Sequence, residues 1–148
     1  MNIFASTSCL KGYDSLPSMV KAMKAAGLDC IELSAAPSVS KEDLIELSLL
    51  KSSTSFEIHN YFPPASRPFL LNLASVDSAN LAKSLEFARD AIGLCARLGG
   101  TFYSVHAGFR ADVSVSSLGG VLEYTNIVDR DKAYRQMVDS IRVLCDHA

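Results

Sequence analysis

The chain is 148 residues long, a usual size for one domain, and 49% of it is hydrophobic, enough for a sizeable core. Charged residues make up 20% with a formal net charge of −2, and there is no charge run or low-complexity segment, which argues against disorder and leaves no basic stripe to track a phosphate backbone. The apolar stretches are too short for a membrane span and the start, MNIFASTSCL, lacks a basic leader followed by a long apolar segment, so a cytoplasmic protein without a membrane segment is expected.

Residues 2–7, NIFAST, read as a short first strand. After the turn CLKGYDS, Ser15 can cap a helix with Pro17 in its first turn. That helix, LPSMVKAMKAA, puts Leu16, Met19, Val20 and Met23 on one face and stops at Gly27. Residues 29–34, DCIELS, form the second strand, broken by APS. Ser40 and Asp43 make an S-x-x-D start for a helix KEDLIELSLLKS.

Residues 55–60, SFEIHN, are the third strand. A long loop, YFPPASRPFLLNLAS, carries three of the five prolines. Asp77 or Ser78 opens the longest helix, ANLAKSLEFARDAIGLCARLG, with Leu81, Leu85, Ala88, Ile92 and Cys95 at helical spacing and Gly99-Gly100 as its stop. TFYSVHA is the fourth strand. Residues 108–129 read as a second long loop, and Asp129 or Asp131 caps a last helix, KAYRQMVDSIRVLCDH.

Strand and helix thus alternate four times, the signature of parallel strands joined by right-handed crossovers. The fold class is α/β, with one domain over residues 1–148. An open doubly wound sheet and part of a (β/α)8 barrel both fit, and both gather functional groups at the strand C-terminal ends. The second, third and fourth strands end at Glu32 and Ser34, at His59 and Asn60, and at His106. A lone histidine at a strand end is more often a hydrogen-bonded core residue than a ligand. Two at equivalent ends of successive units, 47 residues apart, turn that balance toward a site. Glu32 is a charged residue in an apolar strand, read either as a site carboxylate or as the partner of a rim lysine or arginine. Tyr61 and Phe62 either pack the loop or wall a substrate. His147, near the end of a polar helix, is expected to face solvent. The four cysteines, Cys9, Cys30, Cys95 and Cys145, have wide irregular spacings, which reads as reduced, buried thiols. No G-x-G-x-x-G, P-loop or G-x-S-x-G is present, so nucleotide-binding and serine-hydrolase readings have no support.

GLDCIELS, IHNYFPP, PFLLNLAS and YSVHAGF, in this order, resemble the xylose-isomerase-like barrel superfamily of sugar (phosphate) isomerases and epimerases and type IV apurinic endonucleases. The resemblance covers nearly the whole chain and fits the first four strand–helix units, so it implies the N-terminal half of a (β/α)8 TIM barrel. In local wording the endonuclease branch is the more similar. There the histidines matching His59 and His106 ligate zinc; in the isomerase branch the same positions more often contact substrate. The resemblance also implies a divalent metal (zinc, manganese or magnesium) at the C-terminal mouth, with most ligands in a second half that this chain does not include.

A sugar or sugar-phosphate isomerase or epimerase of carbohydrate metabolism is the favoured function. In it Glu32 is the catalytic carboxylate, His59, Asn60, Tyr61 and His106 bind substrate, and His59 and His106 complete a metal shell. The alternatives are a zinc-dependent endonuclease at abasic DNA sites, for which only Arg67 and Arg110 flank the two long loops, and a non-catalytic half-barrel. The expected partners are a small sugar or sugar phosphate, with nucleic acid only in the endonuclease reading, and either a second copy of the chain or a C-terminal half. That last expectation rests on inward-facing positions such as Phe4, Ile31, Ile58 and Val105, or their alternating neighbours, losing the strands that bury them.

Overall fold

A computed structural model describes residues 2–34, 36, 38–106 and 108–148. Pro37, expected to break the chain after the second strand, and Ala107, at the end of the expected fourth strand, lie outside the described residues. The backbone gathers into two compact units, Met1–Ala65 with Ala91–Val105, and Ser66–Asp90 with His106–Ala148.

The first unit holds a four-stranded parallel sheet whose strands lie in sequence order: β1 (Ala5–Ser6), β2 (Cys30–Leu33), β3 (Ser55–His59) and β4 (Tyr103–Ser104). Helix α1 (Leu16–Ala25) follows β1 and α2 (Lys41–Leu50) follows β2. Both begin as their sequences require, Ser15 and Ser18 forming one capping box and Ser40 and Asp43 the other. The expected face of α1 is the one buried, with Leu16, Met19, Val20 and Met23 in the core. They pack with Ile31, Leu33, Phe56 and Ile58, so these strand residues face the helices. Of the two sets left open for the inner face, Ile31 and Ile58 or their alternating neighbours, the structure selects the neighbours. By the strand register the alternating set, Ser6, Glu32, Glu57, His59 and Ser104, shares the opposite face.

The two edge strands are shorter than their sequences suggested. β1 stops at Ser6 because the Ser6 hydroxyl caps a 3-10 turn over Thr7–Cys9. β4 stops at Ser104, not at His106, because β3 has already turned away: Asn60 adopts a positive φ of 41° and its N–H donates to the Ser104 carbonyl. Phe62 is buried in the core of this unit rather than walling a site.

The junction between α3 (Ser78–Arg97) and β4 is tightly made. Gly99 takes a positive φ of 78° that ends the helix. Gly100 lies so close to its neighbours that a Cβ would sit 2.5 Å from Cys95 Sγ and 2.6 Å from the Phe56 carbonyl oxygen. Glu57, 4% exposed, accepts from the Thr101 N–H and hydroxyl at 3.2 and 3.0 Å and from the Phe102 N–H at 2.9 Å. The buried stripe of α3 keeps Ala88 and Cys95 of the expected one and adds Ser84, Ala91 and Leu94, with Leu98 just past the helix, while Leu81, Leu85 and Ile92 are only partly buried. Ser84 is drawn inward because its hydroxyl accepts the Asn72 N–H at 3.0 Å.

In the second unit, α4 (Arg130–Cys145) is capped by Asp129, whose carboxylate accepts the Lys132 N–H at 2.9 Å. Ser140 on α4 donates to the Leu73 carbonyl at 2.7 Å. Residues 108–129 are not a bare loop. They contain an antiparallel pair, β5 (Asp112–Val113) and β6 (Tyr124–Thr125). Hydrogen bonds centred on Asp112 anchor this hairpin: Asn72, Ser75, Asn80 and Asn126 all donate to its carboxylate. The four strands in one parallel sheet, alternating with helices, are half of a (β/α)8 barrel. Among the described residues no helix is long and apolar enough to cross a membrane.

Candidate functional site

Parallel pairing in register sets Glu32 beside Glu57 and Leu33 beside Ile58, which places Glu32 and His59 on one face of neighbouring strands, one step apart along the strand direction. The side chains meet: Glu32 Oε2 lies 3.4 Å from His59 Nδ1. Both are half-buried, 25% and 34% exposed, so the pair is partly shielded yet reachable from solvent. An imidazole whose Nδ1 faces a carboxylate is held in one orientation, and its Nε2 is directed away from that carboxylate. The partner of Glu32 is thus a histidine at the strand ends and not a helix lysine.

Around this pair the chain is fixed by backbone contacts. The Ser34 N–H donates to the Thr7 hydroxyl at 3.0 Å, tying the end of β2 to the turn after β1. Asn60 is held in its left-handed turn, and its carbonyl accepts the Tyr103 hydroxyl at 2.6 Å. Burial pushes the Tyr103 phenol well above its ordinary pKa, so it remains a donor. Asn60 and Tyr61 are half-buried and directly follow His59.

Glu32, His59, Asn60 and Tyr61 therefore belong to one compact unit, while His106 begins a segment of the other and is exposed. His147 is exposed, as expected of it. The cysteines are all free, but only Cys95 is buried; Cys30 is half-buried, and Cys9 and Cys145 are exposed on polar turns and at a helix end, which corrects the expectation of four buried thiols. Two residues near the pair escaped sequence reasoning. Glu57 carried the same signal as Glu32, an acid inside an apolar strand, and lies beside it by register. Tyr103 gave no such signal, because its role depends on a partner 43 residues away.

Among the described residues no three His, Cys, Asp or Glu side chains gather in a geometry that can hold a metal ion. His59 is engaged with Glu32, and two histidines alone are short of the three or four protein ligands of a stable zinc site. The donors among the described residues do not make a complete metal site by themselves. What the Glu32–His59 pair can do unaided is grip hydroxyl groups, Nε2 and the carboxylate each offering a polar contact, and exchange protons with a bound molecule.

No curated protein matches the sequence at a significant level. Solved structures do match its fold. A D-tagatose 3-epimerase-like protein superposes with a TM-score of 0.70 at 18% identity, over 100% of this chain and 49% of its own. An L-ribulose 3-epimerase gives 0.67 at 15% identity, over 99% and 46%. The D-psicose 3-epimerase of Clostridium cellulolyticum H10, solved with D-tagatose, gives 0.67 at 16% identity, over 99% and 48%. The chain spans about half the length of these proteins. The family described as a xylose isomerase-like TIM barrel matches residues 20–148, most of the sequence. The chain belongs to the xylose isomerase-like TIM barrel family.

Proposed function

We propose that this chain serves a sugar or sugar-phosphate isomerase or epimerase and supplies part of its substrate site. The observation that carries the reading is the Glu32–His59 pair, 3.4 Å apart at the C-terminal ends of adjacent parallel strands, where barrel enzymes of this architecture place their chemistry. The resemblance in fold to two sugar 3-epimerases and to a D-tagatose 3-epimerase-like protein points to the substrate class, a ketose or its phosphate.

In this reading His59 holds a sugar hydroxyl through Nε2 while Glu32 fixes the ring through Nδ1. Glu32 also acts as the carboxylate that accepts or returns a proton next to the carbonyl, the step that inverting a carbon beside a ketone requires. Asn60 and Tyr61 flank the sugar, and His106 is a further substrate-binding candidate. A divalent ion, zinc, manganese or magnesium, belongs to the reading as a cofactor that would supply polarisation of the sugar oxygens.

The test is proton exchange. Incubation of the complete protein with D-tagatose, D-psicose or L-ribulose in D2O, followed by NMR, should show deuterium entering at carbon 3 together with the epimeric ketose. His59→Ala and Glu32→Gln should each lower that rate by about 100-fold or more, within the range general acid–base groups contribute. Full exchange in both variants would remove the pair from the reaction, and no exchange with any ketose or ketose phosphate would remove the reading itself.

A further inference from the structure

We propose that Tyr103 is the positioning residue of the Glu32–His59 pair: by holding the Asn60 carbonyl it sets where β3 ends and so where the His59 imidazole stands. Asn60 is one of two non-glycine residues given a positive φ among the described residues. A left-handed backbone costs a non-glycine residue on the order of 1 kcal/mol, so something must hold it. Contacts on both sides of residue 60 do so. Its N–H donates to the Ser104 carbonyl, and its carbonyl accepts the Tyr103 hydroxyl at 2.6 Å. Both come from β4, which is also the strand that pairs His59 with Ser104.

The rest of Tyr103 is built for this task. Its side chain packs against the hydrophobic core of the unit, which fixes the ring and carries the hydroxyl to the sheet end. The phenol is a donor in every state it populates near neutral pH, since burial opposes its ionisation. Without the hydroxyl the Asn60 carbonyl loses its acceptor contact, and the extended backbone preferred by an ordinary residue competes with the turn. The turn that directly follows His59 would then no longer be fixed, and the imidazole would lose the backbone anchor that keeps it 3.4 Å from Glu32.

The functional consequence rests on the reading of Glu32 and His59 as sugar-contacting groups, but the geometry is tested without substrate. In the complete protein, Tyr103→Phe keeps the ring in the core and removes only the hydroxyl. The Asn60 amide should exchange with D2O about 10-fold faster or more, and the His59 imidazole nitrogen signals should move, with a His59→Gln control assigning them. Amides of β2 should stay protected. Adding Asn60→Gly to that variant should return the His59 signals toward wild type, because glycine takes positive φ at no steric cost. His59 signals and residue-60 exchange identical to wild type in Tyr103→Phe would overturn the proposal. Loss of β2 protection would also overturn it, by assigning Tyr103 to the stability of the core. If Tyr103→Phe shifts His59 while no ketose is turned over, the sugar reading fails and this one stands; the reverse result separates them the other way.

Discussion

Asp112 is a heavily bonded buried carboxylate of the second unit. It is 6% exposed and its two oxygens accept from Asn72 Nδ2 at 3.0 Å, Asn80 Nδ2 at 2.9 Å, Ser75 Oγ at 2.8 Å and Asn126 Nδ2 at 3.2 Å. Burial alone would raise its pKa, but the hydrogen bonds outweigh it and hold the carboxyl below its ordinary value of 3.8. A depressed folded pKa stabilises the folded state fully above the unfolded value and loses that contribution as pH falls through the folded one. The hairpin should therefore loosen as pH drops below about 4. Asp112→Asn sets an amide donor against several donors and should cost about 2–4 kcal/mol at neutral pH, read by urea denaturation, with a flatter stability profile between pH 5 and 2 than the wild type. An equal slope in the two proteins would assign the acid sensitivity elsewhere. Cys95 makes a second case at this scale. Burial first, and then the Glu57 carboxylate, pushes its thiol up to about 11. Native protein should thus show prompt reaction of Cys9 and Cys145 with a thiol reagent at pH 8, slower reaction of Cys30, and none of Cys95 until unfolding. Neither Asp112 nor Cys95 declared its environment in the sequence, because the decisive partners lie 32 to 40 residues away for Asn80, Ser75 and Asn72, and 38 for Glu57.

At the scale of elements, what is written locally was legible and what depends on neighbours was not. Helix starts need only a side chain and its own backbone, so Ser15, Ser40 and Asp129 announced them. The central strands β2 and β3 were legible because both flanks pair and their apolar runs are complete. The edge strands were over-extended, since nothing in NIFAST or TFYSVHA records that a partner strand has ended. The hairpin of β5 and β6 was missed for a related reason: its two-residue strands carry too little alternation, and Asp112 anchors it through distant asparagines. The α3–β4 junction shows how such an element can be probed. Gly99 supplies the left-handed turn, whereas Gly100 is required by close approach. Gly100→Ala would drive a Cβ into Cys95 Sγ and the Phe56 carbonyl, neither of which is the free end of a flexible side chain. We expect a loss of about 1–3 kcal/mol and a melting point lower by several degrees, by calorimetry. Gly119, with nothing within 4 Å of its added Cβ but a φ of 90°, is the comparison that isolates backbone strain from crowding.

At the scale of the molecule, β1 and β4 are the outer strands of the parallel sheet, and an outer strand presents backbone donors and acceptors on one side. A barrel of this class closes with eight strands, so these two edges are where further strands belong. The apolar surface beside them is smaller than the sequence implied, because Ile31 and Ile58 pack on the helices and the opposite face carries Glu32, Glu57 and His59. It is not negligible. Ile3 is 78% and Phe102 51% exposed, and Phe102 meets Phe4 edge to face at 6.0 Å between centroids. Together Ile3 and Phe102 leave roughly 250 Å² of apolar surface in water, worth about 6 kcal/mol at ~25 cal/mol per Å² if covered. That is of the order of a small domain's entire stability. We therefore expect the 148-residue chain to associate, with a second copy or with a chain that supplies the remaining strands, through the β1 and β4 edges. Analytical ultracentrifugation from 1 to 100 micromolar should show mass rising with concentration, and Phe102→Lys should shift that rise to higher concentration without lowering helix content. A cooperatively melting monomer across the whole concentration range would mean that the edge strands are protected by their shortness alone, two residues each being too few to template a partner.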